Sequence, residues 1–115
     1  MRPARRQAGV PALASIMKLL TKEIRRRLPP LYATEDIPLE EKIAQVKFFT
    51  PDSGVTWYAV EFDGKDLFFG YVIGLEKEWG YFSLAELQSV RGRLGLPVER
   101  DLYFKPTPVK ELMRE

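Results

Sequence analysis

Glu61, Asp63 and Asp66 place three carboxylates in one short stretch of this 115-residue chain. Hard divalent cations take several carboxylate oxygens. With Lys47 or Lys65 beside it, such an ion is the outline of a small nuclease or hydrolase. The spacing matches no calcium-binding loop, and Asp63-Gly64 is also the dipeptide that a tight hairpin requires. Solvated turn acids are the commoner explanation of the same residues. Other catalytic patterns are poorly served. The chain has no histidine and no cysteine, which removes histidine-activated nucleophiles, thiol chemistry, disulfides and His- or Cys-ligated zinc. Ser53, Ser83 and Ser89 have no histidine to activate them, and no Gly-rich phosphate loop occurs.

Two other constellations suit binding rather than catalysis. Arg25, Arg26 and Arg27, with Lys22, form a basic helix surface able to meet phosphates or acidic protein; a solvated cationic face is the commoner origin of such a run. Aromatic residues are numerous and often adjacent: Phe48-Phe49, Trp57-Tyr58, Phe68-Phe69, Tyr81-Phe82 and Tyr103-Phe104. Neighbours along a strand point to opposite faces, so each pair sets one ring on each side of a sheet. Either both faces are covered, or one shows rings to solvent. An exposed set around Trp57, Phe69 and Tyr71 would stack bases or dock a peptide.

Charge is unevenly distributed. Residues 1–28 hold eight basic groups against one acid, while the remainder holds ten basic groups and fifteen acids. An acidic body with a basic end argues for nucleic acid much less than uniform basicity does. Residues 1–16 read as a disordered or mis-assigned leader, with Met17 as an alternative start, and 17–115 as one domain. No stretch approaches the roughly 20 apolar residues of a membrane span, so a cytoplasmic protein is expected.

The elements that must position these groups follow from periodicity. Leu20, Ile24 and Leu28 form a helical stripe with Thr21 as N-cap, stopped by Pro29-Pro30. Pro29–Leu39 reads as an extended connection, pinned to the core by Leu31, Tyr32 and Ile37. Strands are expected over Lys42–Phe49, Val55–Phe62 and Leu67–Ile73, joined by turns at Pro51–Gly54 and Asp63-Gly64. In the first, Ala44, Val46 and Phe48 share a face; in the second, Val55, Trp57 and Ala59 oppose Thr56, Tyr58, Val60 and Phe62. Gly70 and Gly74 mark a bulge or a close backbone approach. Trp79–Phe82 is a short fourth strand. Ser83–Glu86 is a capping box opening a helix with Leu84, Leu87 and Val90 inward, which Gly92 ends. Pro97 starts a short helical segment, Leu102–Lys105 adds an edge strand, and Thr107-Pro108 opens a final helix. The class is α+β: a small antiparallel meander of three to five strands with short N-terminal, middle and C-terminal helices.

The stretches LPPLYATED, KFFTPDS, TWYAVEFDG and EWGYFSL resemble an uncharacterised bacterial family catalogued as a domain of unknown function, DUF 2958, over Met17 to about Pro108. The resemblance implies a small stand-alone protein carried by plasmids and other mobile elements, with accessory roles in DNA maintenance, transfer or defence evasion. It brings no catalytic residues. The leading expectation is a non-catalytic module that contacts protein or nucleic acid through Tyr32, Trp57, Tyr58, Trp79 and Arg25–Arg27, without a cofactor. The alternative is the metal-dependent hydrolase or nuclease on Glu61, Asp63 and Asp66. A third reading is a homodimer formed through an exposed apolar face.

Overall fold

A computed structural model describes residues 18–114; the expectation for residues 1–16 lies outside them. Helix α1 (Lys22–Arg27) begins where the Thr21 hydroxyl accepts the Ile24 N–H at 3.1 Å and ends at Leu28, before the two prolines. At six residues it is too short to persist alone. Leu28 and Ile24 hold it against the sheet.

Seven strands follow: β1 (Ile43–Ala44), β2 (Val46–Phe49), β3 (Thr56–Phe62), β4 (Leu67–Ile73), β5 (Lys77–Ser83), β6 (Glu99–Arg100) and β7 (Thr107–Pro108). Five of them form an antiparallel sheet in the order β5-β4-β3-β2-β6, while β1 and β7 make a separate two-stranded ribbon. Helix α2 (Leu84–Ser89) starts at Ser83, whose hydroxyl accepts the Glu86 N–H at 2.9 Å, and α3 (Val109–Leu112) closes the described chain. The expected α+β meander is therefore present, with a ribbon added.

Adjacent aromatics do divide between the faces. On one face Phe68 packs its ring against Phe48, Phe62 and Phe82 at centroid separations of 5.6, 4.5 and 5.1 Å. Leu28, Leu87 and Val98 complete that core from the helices and the late loop. On the other face Tyr58, Val60 and Tyr71 are covered by Val109 and Leu112 of α3. Two cores thus share one sheet, and the second covers only part of its face.

Several local expectations change. Pro29–Leu39 is not extended: successive turns are closed by N–H donation from Ala33 to Pro30 (3.1 Å), Glu35 to Tyr32 (3.1 Å) and Ile37 to Thr34 (2.9 Å). Tyr32 and Ile37 are exposed, and their side chains join neither core. The first strand breaks at Gln45, so Ala44 enters the second core while Val46 and Phe48 enter the first. The strand expected at Trp79–Phe82 runs longer, from Lys77 to Ser83, because it pairs with the whole of β4. Helix α2 ends at Val90, and Gly92 lies instead against the Asp52 carboxylate. That carboxylate, which accepts the Leu94 N–H at 2.6 Å, organises the loop as a turn. Pro97 forms a bridge with Arg91 rather than a helix. Leu102–Lys105 is not a strand, since the Asp101 carboxylate accepts the Tyr103 N–H at 2.9 Å and turns the chain. Thr107 pairs with Ala44 in β7 instead of capping α3.

The most consequential departure is in β3. Ala59 pairs with Gly70 and Glu61 with Phe69, so Val60 is an extra residue on the β3 side. Simple alternation would put Glu61 in the first core, beside Ala59, and Phe62 on the opposite face. The bulge reverses both: Phe62 joins Phe68, and Glu61 turns to the second face. Gly70 is the counterpart of the bulge. A Cβ there would stand 1.9 Å from the Tyr58 carbonyl oxygen, a backbone atom that cannot step aside. At Gly80, one strand over, a Cβ would meet nothing within 4 Å. In urea denaturation, Gly70→Ala is expected to lose about 3 kcal/mol, and Gly80→Ala to stay within about 0.5 kcal/mol of the parent.

Candidate functional site

The bulge delivers a carboxylate to a place where apolar surface would otherwise lie. Glu61 is only 4% exposed, and an ionised carboxylate this deep must be matched by donors. The donors come from the turns of residues 30–42. Glu61 Oε1 accepts the Tyr32 N–H at 2.9 Å, and Oε2 accepts the Thr34 N–H at 3.0 Å and the Thr34 hydroxyl. Tyr32 turns its N–H inward by adopting φ +70°, a left-handed conformation that non-glycine residues seldom take. Lys42 is buried as well; its ammonium donates to the Thr34 carbonyl and, at 3.0 Å, to the Thr34 hydroxyl oxygen. The result is a relay from Lys42 through Thr34 to Glu61. Burial pushes the Glu61 pKa up, but the Thr34 hydroxyl, the Tyr32 and Thr34 N–H groups and the Lys42 charge together hold it below the ordinary carboxylate value.

Around this ionic post lies a cleft of about 380 Å³ between the turn segment and the β4–β5 face. Its walls are Tyr32, Ile37, Leu39, Phe69 and Tyr81, with Glu35 among its lining residues. Tyr32 is 62% and Tyr81 52% exposed, so the rings meet solvent at the cleft. The Phe69 ring lies 5.1 Å from Tyr81 and 5.7 Å from Trp79, which continues the aromatic row into the sheet. A hydrogen bond with the Tyr32 hydroxyl, then burial and the Glu61 charge, raise the Tyr81 phenol above its usual pKa. The arrangement presents aromatic rings and phenol hydroxyls above a buried carboxylate whose oxygens are already engaged.

The sequence-predicted contacts do not form one surface. Tyr32 lines the cleft. Tyr58 is buried in the second core beside Phe104, at a centroid separation of 5.7 Å. Trp57 packs on the first core, on the opposite face of the sheet. Trp79 stacks on Phe69 and meets Tyr71 at a tilt, and Tyr71 is itself buried. Arg25 donates to the Gly64 carbonyl at 3.1 Å and lies 5.5 Å from the Phe62 ring centre. Arg27 donates to the Gln45 carbonyl at 3.4 Å and sits 3.9 Å from Glu23. Arg26 is exposed.

The three acids are likewise separated in role. Asp63 accepts N–H groups from Lys65 and Asp66 at 2.8 Å and from Leu67 at 3.0 Å, which hold its carboxyl below the usual range. Asp66 accepts the Ala85 N–H at 2.8 Å and so steadies the first turn of α2. Among the described residues no group of three acidic side chains is placed to share an ion. Lys42 and Thr34 escape a reading by motif. The available signal was parity: Lys42 occupies the inward phase of Ala44, Val46 and Phe48, and an inward lysine needs a buried partner.

Fold and cleft together define a small two-faced α+β sheet protein with an aromatic cleft beside a buried carboxylate that Thr34 bridges to Lys42. The chain belongs to the family described as protein of unknown function (DUF2958), whose model matches residues 19–112. No curated protein and no solved structure matches it. No helix among the described residues is long and apolar enough to cross a membrane.

Removing the post leaves two inward N–H groups without their acceptor and the buried Lys42 ammonium without its counter-charge, so Glu61→Ala is expected to lose about 3 kcal/mol at neutral pH. A carboxylate whose native pKa is depressed stabilises the fold fully above its unfolded value, about 4.5. That contribution disappears as the pH falls through the lower native value. Urea denaturation at pH 7 and pH 3 checks the sign: Glu61→Gln is expected to narrow the stability difference between the two conditions.

Proposed function

We propose that this chain is a non-catalytic binding module that receives an apolar or aromatic group of a protein partner in the cleft walled by Tyr32, Phe69 and Tyr81. The observation that carries the reading is the chemistry of the cleft. Its two tyrosine rings are open to solvent while its strongest polar groups are already engaged within the fold. A general base needs a free carboxylate with a pKa near the working pH. Glu61 has a depressed pKa and engaged oxygens, and the Tyr81 phenol is shifted away from ionisation. Concave apolar walls with a few polar groups are the ordinary design of a recognition site.

Protein suits the site better than nucleic acid. The segment that forms the cleft wall carries Glu35, Asp36, Glu40 and Glu41, all exposed, and its one lysine, Lys42, is buried. Phosphates would meet acids there, and the basic helix that was to attract them uses Arg25 and Arg27 in contacts within the fold. The metal-dependent nuclease reading draws no support from Asp63 and Asp66, whose carboxylates accept backbone N–H groups. An accessory role on mobile elements, as the family resemblance implies, is compatible with a small adaptor of this kind.

NMR titration tests the reading with two probes, indole and a single-stranded oligonucleotide. Indole is expected to shift the Tyr32, Phe69 and Tyr81 resonances, and Tyr81→Ala to weaken its binding about tenfold. Salt-sensitive shifts of the same resonances by the oligonucleotide, with none from indole, would falsify the protein-ligand assignment.

A further inference from the structure

Strand β5 ends the sheet order, and no described strand pairs with its outer side. Natural sheets usually protect such an edge with proline, a bulge, charged side chains, a very short strand or a cover. This one is seven residues long, KEWGYFS, keeps an unbroken register with β4, contains no proline and carries charge only at Lys77 and Glu78, its first two positions. Its central residue, Gly80, has open space where a Cβ would stand. The edge is left open over a length that a peptide can use.

Two grooves flank that edge, one on each face. The first is the cleft of Tyr32, Phe69 and Tyr81. The second, about 300 Å³, lies against α2 and is lined by Trp57, Val72, Leu87 and Val90 together with Glu78–Phe82 of β5. Both grooves are walled by aromatic and aliphatic side chains, and exposed acids lie at both: Glu35 at the first, Glu78 and Glu86 at the second. The one base lining either groove is Lys42, whose ammonium is engaged by Thr34. Lys77 lies at the hairpin end of the strand and lines neither groove.

An extended peptide directs alternate side chains to opposite faces. Laid along β5, it would send its side chains alternately toward the two grooves while its backbone completes the ladder. Main-chain hydrogen bonds then supply affinity and the grooves supply selectivity. From this convergence we infer that β5 accepts an extended, basic and apolar segment of a partner protein as a sixth strand of the sheet. The apolar residues would enter the grooves, and lysine or arginine would meet Glu35, Glu78 and Glu86. The inference rests on the binding-module reading above and adds the partner's conformation and charge.

The test pans a phage-displayed random-peptide library against the full chain and follows a selected peptide by amide hydrogen exchange. The expected peptides combine aromatic or aliphatic residues with lysine and arginine. Their binding is expected to slow exchange of the outward β5 amides between Glu78 and Phe82 at least tenfold. Glu78→Lys, at an exposed position, is expected to weaken binding about tenfold while leaving thermal unfolding unchanged. Selection of acid-rich peptides overturns the partner class. Selected peptides that shift Phe69 and Tyr81 but leave β5 exchange unaltered overturn strand addition while the cleft reading stands. Self-association that protects the same amides without peptide gives the edge to a second copy and overturns the proposal. If the library enriches nothing, strand addition fails; if indole also leaves the cleft unshifted, the binding-module reading fails with it.

Discussion

One buried carboxylate organises the cleft side of this protein. Glu61 accepts N–H groups from Tyr32 and Thr34 and the Thr34 hydroxyl, and Lys42 reaches the same threonine. An isolated charge at that depth would cost several kcal/mol, so the turn segment must close over it. Closing it forces Tyr32 into a left-handed conformation and turns the Tyr32 ring outward. The cleft wall is thus a consequence of satisfying a charge, and its shape follows from where the donors have to stand.

The carboxylate is on the correct face only because β3 carries an extra residue. The Val60 bulge and the missing side chain at Gly70 form one device, since the carbonyl of Tyr58 occupies the space where a Cβ at Gly70 would go. The same shift sends Phe62 to the first core, where it stacks on Phe68. A single irregularity therefore supplies both a ring to the hydrophobic centre and an anion to the opposite surface. Bulges beside functional surfaces commonly re-aim one side chain in this way.

The second face is only partly covered, and this connects the packing to the proposed binding. Helix α3 covers Tyr58, Val60 and Tyr71, but the row from Tyr71 through Trp79 and Phe69 continues outward to Tyr81. A complete cover would need another helix, and the described chain places turns there instead. Those turns leave a groove, and the neighbouring edge of β5 has main-chain groups to offer. Apolar walls, acids and an open strand edge then occur within one region of the surface.

Local chemistry made much of the architecture legible. Thr21 and Ser83 are caps, the two prolines stop α1, Asp63-Gly64 closes a hairpin, and adjacent rings announce a sheet packed on both sides. These features depend on neighbours a few residues away, which the chain order states directly. Gly70 was legible as a close approach, though its partner was not. The bulge was hidden because strict alternation assigns Glu61 and Phe62 to the wrong faces, and nothing local marks Val60 as the extra residue. The Glu61–Thr34–Lys42 relay was hidden for a similar reason. Its members are separated by up to 27 positions, whereas proximity along the chain groups Glu61 with Asp63 and Asp66, from which packing separates it in role. Composition and spacing determined the two-faced sheet, its turns and its excluded chemistries. Tertiary structure decided which acid is buried, which rings meet solvent and which strand is left at the edge, because register and charge desolvation are settled only when distant segments pack.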